Sequence, residues 1–142
     1  MPRTVPVDAD YGTLADFRYH LRRFLRVREE AAKSAGVEPQ QYQLLLEVKA
    51  FEARKLAPTI GELAERLQIQ HHSAVGLIDR MARRELVARR QVSTDQRRVL
   101  IVLRPRGRAI VKTLAVQSLA ELRSEAPALL AFLKQLQRRA GR

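Results

Sequence analysis

In "QHHSAVGLID", residues 70–79, two histidines, a serine and an aspartate crowd into ten positions. Such residue types can hold a metal or assemble a nucleophile. Adjacent helical residues, however, point about 100° apart, so His71 and His72 are poorly set to chelate one ion. Only His20 remains as a further imidazole, and there is no cysteine. Ser73, a histidine and Asp79 can be drawn as a triad, but no nucleophile elbow or oxyanion-hole signal accompanies them. Nor is there a glycine-rich loop to cradle phosphate. The expectation is a non-enzyme: no catalytic residue, no metal and no cofactor.

The chemistry that stands out is cationic. The chain has 27 basic and 15 acidic residues among 142, a net charge of +12, and 22 of the basic residues are arginine. Residues 1–58 net +2 and 59–79 net −2, whereas 80–108 net +8 and 109–142 net +4. Two-thirds of the charge therefore falls in one window of 29 residues. A merely solvating surface would spread it. A basic chain of this kind points to an acidic partner, most often nucleic acid.

Other classes fall away on composition. With 46% apolar and 30% charged residues, the chain suits one folded domain with a real core, not disorder. The lack of cysteine removes disulfide frameworks and thiol switches. Residues 1–13 have no apolar core, so no secretory leader is expected, and no apolar run is long enough to cross a membrane. A cytoplasmic protein is expected.

These side chains need elements to position them. Leu14, Phe17, Leu21 and Phe24 follow 3-4-3 spacing, which predicts a helix from about Leu14 to Ala35, stopped at Gly36. Pro39 suits the first turn of a second helix, whose apolar residues lie on more than one side. Thr59 and Glu62 have capping-box spacing, and Ile60, Leu63, Ala64 and Leu67 make one buried stripe behind them. After a break at residues 68–70, helical period resumes, with Val75, Ile78, Met81 and Ala82 predicted inward. His72, Ser73, Gly76, Arg80, Arg83 and Arg84 then fall outward. Two short helices across a tight turn read as a helix-turn-helix.

The period then changes to that of strands. "LVARRQV" and "RRVLIVLR" predict a hairpin with "STDQ" as its turn. Val99, Ile101 and Leu103 should face one way, and Leu100 and Val102 the other. Asp95, at the tip, can accept backbone N–H bonds and fix the turn that aims its basic neighbours. Pro105 and Gly107 are read as ending the hairpin. A long helix follows, is expected to break at Pro127, and gives way to a last helix with Leu129, Leu130, Phe132, Leu133 and Leu136.

A helix-turn-helix followed by a basic hairpin resembles the MarR family of winged-helix transcriptional regulators. The resemblance is strongest over residues 59–107. It rests on "TIGELAERLQIQHHSAVGLIDRMARRELVARR", with its Leu-Ala-Glu-Arg-Leu run and its "LIDRM" segment. It rests also on Asp95, Arg97, Leu103 and Gly107 at the spacing of the wing pattern. The chain departs from the family where Gln68 and Glu85 replace a frequent glycine, Gln96 an arginine and Arg104 a threonine. Gln70 stands where a small capping residue is common, and Gln is a poor cap.

The resemblance implies a mainly α fold with a small β-hairpin wing. Residues 1–142 would form a single domain, with a winged helix-turn-helix over 39–107 and dimerisation helices over 14–36 and 109–140. It implies a sequence-specific transcriptional regulator of double-stranded DNA, read as a repressor. Gln70, His71, His72, Ser73 and Gly76 would approach base edges. Arg80, Arg83, Arg84, Arg89, Arg90 and Arg98 would meet phosphate or the minor groove. By the family's habit Arg97 would pair with Asp79 and brace the wing, with Asp95 shaping its tip.

A homodimer through Leu14, Phe17, Leu21, Phe24, Leu129, Phe132, Leu133 and Leu136 would read an inverted repeat. A small aromatic or phenolic ligand, in a cleft lined by Phe17, His20, Leu21, Phe24 and Tyr42, would relieve binding. Two alternatives stay open: a constitutive architectural DNA-binding protein, and a winged helix used for protein–protein contact.

Overall fold

The computed structural model describes residues 5–92 and 95–140, with backbone alone at 95–97 and 139–140. Its elements are α1 (Asp8–Ser34), α2 (Pro39–Ala53), α3 (Ile60–Leu67), α4 (His71–Arg83), β1 (Val87–Val92), β2 (Asp95–Leu103) and α5 (Pro105–Ala140). The mainly helical fold with a two-stranded antiparallel wing is as the sequence predicts. Two compact units divide it, and the divisions fall inside α1 and α5.

The central unit, residues 31–116, holds a core to which each of its elements contributes. Leu44, Leu45 and Val48 of α2, Leu63 of α3, and Ile101 of β2 are buried. So are Val111 and Leu114 of α5. In α2 the apolar residues do bury on several sides, though Leu46 stays 43% exposed. On α4 the buried face is Ala74, Leu77, Ile78 and Met81, an i, i+3, i+4, i+7 stripe. Val75 and Ala82 were predicted inward and are only half-buried. The stripe is rotated because Leu77 and Ala74 align better with the fully buried pair Ile78 and Met81. Truncating Leu77 or Ile78 to alanine would cost about 2–5 kcal/mol.

Four helices end alike. Gly36 (φ 85°), Lys55 (φ 60°), Gln68 (φ 55°) and Glu85 (φ 58°) are left-handed. The next N–H reaches five residues back in each case: Val37 to Ala32, Leu56 to Phe51, Ile69 to Ala64, and Leu86 to Met81, all at 3.0 Å. This is the Schellman pattern, in which glycine carries no Cβ penalty. Only Gly36 supplies one. At the start of α3 the capping box forms as expected: Thr59 Oγ1 accepts from the Glu62 N–H at 3.1 Å, and Glu62 accepts from the Thr59 N–H at 3.1 Å.

β1 and β2 pair in register from Val87–Leu103 to Gln91–Val99, with a shift before Val92–Asp95. β2 thus begins at Asp95, inside the segment expected to be turn. Of the side predicted to hold Val99, Ile101 and Leu103, the last two are buried and half-buried Val99 packs on the core, while Leu100 and Val102 are half-buried. A bridge between Thr59 and Leu100, with the Ile101 N–H on the Pro58 carbonyl at 2.8 Å, ties the entry to α3 against the hairpin. Pro105 and Gly107 do not end the wing as loop residues; they open α5. A Cβ on Gly107 would lie 2.1 Å from the Leu86 carbonyl oxygen, so no other residue fits. Arg108 of α5 pairs with Glu52 of α2, which also accepts from Lys49 Nζ at 3.0 Å. The Arg108 hydrogen bond, with that of Lys49 behind it, holds the Glu52 carboxyl below the usual carboxylate range against the opposing effect of burial.

The second unit joins residues up to 30 with residues from 117 onward. Here α1 and the far part of α5 run antiparallel. Arg28 Nη2 donates to Glu121 at 2.5 Å, His20 Nδ1 lies 3.0 Å from Glu125, and Thr13 Oγ1 lies 3.3 Å from Gln135. The expected break at Pro127 does not occur; α5 runs through it. These ties to α1 fall on both sides of Pro127, and Phe132 adds a ring contact with His20 at 5.3 Å. Held so, the segment keeps its helical path despite the N–H that proline lacks.

Candidate nucleic-acid interface

The outer face of the helix-turn-helix begins at Gln70, the N-cap of α4, which makes no side-chain cap bond. The N–H groups of the first turn of α4 therefore keep their positive end without a side-chain cap. His71, His72 and Ser73 follow, all exposed. Together with Gln70 they line an open hollow of about 710 Å³, whose other wall comes from α3 and the turn: Gly61, Glu65 and Gln68. Those three were not among the predicted site residues. The outward face of α3, read by the same helical period that located its inner stripe, would have pointed to Glu65.

Gly76 lies one turn further on. A Cβ there would meet only the Arg80 guanidinium, at 3.5 Å. Internal crowding thus places no demand for glycine at this position. Arg80 and Arg83 are exposed on the same helix.

Arg84 departs from expectation. It was assigned to phosphate, yet its Nη1 donates to Gln41 Oε1 at 2.9 Å and its Nη2 to the Gly36 carbonyl at 2.5 Å. Gln41 is 4% exposed and also accepts from the Glu38 N–H. Arg84 is a brace that joins the end of α4 to the start of α2. It stands in the C-cap position of α4.

Arg89 differs as well. It was grouped with the DNA-facing arginines, but its Nη1 lies 2.6 Å from Asp79 Oδ1. The pairing explains why: Arg89 is opposite Ile101, on the side of the hairpin that faces the core. Arg90, opposite Leu100, takes the other side. Arg89 thus makes a tie between wing and α4 of the kind expected of Arg97. The side chains of Arg97 and Asp95 lie outside the described residues. Arg90 and Arg98 are exposed.

A model described as MarR family matches residues 35–98. The match runs from the end of α1 through α2, α3, α4 and β1 into β2. A search of curated proteins by sequence finds no match. Among solved structures, the chain resembles AbsC of Streptomyces coelicolor, described as a MarR family transcriptional regulator. The TM-score is 0.74 at 20% identity, over 96% of this chain and 92% of that one. It also resembles a mutant MepR of S. aureus bound to an oligodeoxyribonucleotide, with a TM-score of 0.66 at 20% identity over 92% and 91%. A mutant MarR of E. coli complexed with operator DNA gives 0.67 at 20% identity over 87% and 89%. At this identity the likeness is one of fold.

Two of the residues expected to line a ligand cleft have packing or polar partners of their own. Tyr42 is 7% exposed in the core of the central unit. In the other unit His20 is held by Glu125 and packs on Phe132. A hollow on that unit is lined by Tyr19, Arg22, Arg23 and Arg26. Of the residues assigned to a dimer interface, Leu14, Leu21 and Leu133 are 42–46% exposed, while Phe17, Phe24, Leu129, Phe132 and Leu136 are half-buried. Among the described residues no cluster of metal-ligating side chains occurs, and no helix is long and apolar enough to cross a membrane.

Proposed function

We propose that the chain is a transcriptional repressor that binds duplex DNA as a homodimer and is released by a small-molecule ligand. The observation that carries this reading is the uncapped start of α4. Gln70, His71, His72 and Ser73 stand there in the same unit as a wing whose Arg90 and Arg98 are exposed. Such a helix can enter the major groove N-terminus first, while the wing arginines take phosphates or the adjacent minor groove. The charge balance supports a division of labour. The segment 59–79 nets −2 and reads; the window 80–108 nets +8 and attracts. The complexes that structurally similar proteins form with operator DNA and with an oligodeoxyribonucleotide support the same reading.

Within it, Asp79 and Arg89 couple wing to reading helix, and the exposed leucines of α1 and α5 meet a second copy. A two-fold dimer reads half-sites about one helical turn apart. The site of action is the cytoplasm, and no reaction is catalysed. Selection of bound sequences from a random duplex pool tests the proposal. The expected result is an inverted-repeat consensus, with binding that weakens steeply as salt rises. Failure to retain any duplex at low salt would leave the winged helix as a protein–protein module.

A further inference from the structure

The C-terminal end of α4 is held from two sides. The guanidinium of its C-cap residue, Arg84, reaches far back along the chain. Its Nη1 donates to Gln41 Oε1 at 2.9 Å and its Nη2 to the Gly36 carbonyl at 2.5 Å. The Arg84 carbonyl in turn accepts from Arg106 Nη1, in the first turn of α5, at 3.1 Å. Gln41 is 4% exposed, and among the described residues no other buried side chain carries an amide or a charge. Its Oε1 also accepts from the Glu38 N–H at 3.1 Å. The acceptor that Arg84 meets is therefore fixed at the start of α2.

Apolar burial sets how deep α4 lies, but such burial is non-directional. The stripe of Ala74, Leu77, Ile78 and Met81 would tolerate a small turn of the helix about its axis. A planar guanidinium on two fixed acceptors would not. We infer that Arg84 is a positioning residue for sequence recognition. By tying the end of α4 to Gln41 and Gly36, it sets the rotation and tilt with which residues 70–73 are presented to base edges. The 13 residues of α4 span about 20 Å, so a tilt of about 5° at Arg84 moves the far end by about 1.7 Å. That displacement exceeds the spread of hydrogen-bond lengths. The recognition half of the inference rests on the DNA reading; the positioning half does not.

Arg84→Lys keeps the cation and loses the fork. On a duplex selected by the wild type from a random pool, it should bind about tenfold more weakly. On an unrelated duplex of the same length it should match the wild type. In Arg84→Gln the salt slope on the selected duplex should be unchanged, whereas a lost phosphate contact would flatten it by about 0.9. Gln41→Leu should weaken the selected duplex as Arg84→Lys does, and Gln41→Glu, which keeps the acceptor, should bind more tightly than Gln41→Leu. Full affinity in Arg84→Lys, equal losses on both duplexes, or a flattened slope in Arg84→Gln would overturn the inference. So would a lower melting temperature in Arg84→Lys without loss on the selected duplex. A second arm needs no DNA. Amide shifts of free Arg84→Lys should differ from the wild type at residues 70–73 as well as near the substitution. Changes confined to residues 36–41 and 83–86 would overturn the positioning role. A wild type that retains no duplex would overturn the DNA reading, and shifts at residues 70–73 would still establish that Arg84 sets the far end of α4.

Discussion

Gly76 is the residue at which stability and recognition part company. Its Cβ position is open except for Arg80, and alanine is favoured over glycine in a helix by about 1 kcal/mol. Gly76→Ala should therefore raise the unfolding free energy by about that amount in denaturant titrations. If the bare backbone lets α4 approach the bases, the same variant should bind its selected duplex more weakly. A stabilised variant with unchanged affinity would show that this glycine serves neither purpose.

Glu52 makes a prediction about pH. Its carboxyl is held down by Arg108 and Lys49, so the folded value lies below the unfolded one. The stability this contributes is present above the unfolded value and is lost as pH falls through the folded one. Thermal melts from neutral to acid pH should show a loss below about 4.3, the ordinary Glu value, and Glu52→Gln should lose less. Parallel curves would show that the pair is solvated away.

Much at this scale is legible in the sequence, because helical period alone sets His72, Ser73 and Arg80 outward. What is not legible is where a long side chain ends. Arg84 and Arg89 look like Arg83 and Arg90 in sequence. They differ only through partners that the fold brings near: the Gly36 carbonyl and Gln41 for one, Asp79 for the other. Hairpin register decides the second case, and nothing in a six-residue strand declares its register in advance.

At the scale of elements, the wing and α4 behave as one piece. Asp79 and Arg89 are each a little over one-third exposed, so solvent screens their ion pair and its direct worth to stability is small. Its value is positional: it joins α4 to the hairpin at a second place, beyond the tie of the hairpin to the entry of α3. A double-mutant cycle on Asp79 and Arg89, read as DNA affinity, should give a coupling of about 0.5 kcal/mol or more. Strict additivity would mean that wing and helix dock independently.

Helix ends were well read from sequence where a cap is local, as at Thr59 and Gly36. At Pro127 the local signal for a break is strong and the contacts that keep the helix are distant. The bonds to Glu121, Glu125 and Gln135 come from residues about a hundred positions away. No window along the chain contains them.

At the scale of the whole molecule, the apolar residues left outside are the relevant quantity. Leu14, Leu21, Leu25, Leu130 and Leu133 are all more than 40% exposed on the unit formed by α1 and the far part of α5. A monomer with so many exposed leucines on one small unit would tend to associate. Sedimentation at micromolar concentration should show a dimer, and Leu21→Glu together with Leu133→Glu should shift it to monomer. A dimer undisturbed by both charges would place the interface on another surface.

The left-handed helix ends bear on how such a chain can change over time. Gln68 and Glu85 accept a backbone conformation that glycine adopts without strain. Both flank α4, the element whose outer residues would vary as a target sequence drifts. A single replacement by glycine at either place would relieve strain while leaving the outer residues of α4 untouched. The protein thus keeps, at the two margins of α4, latent tolerance for otherwise destabilising changes between them.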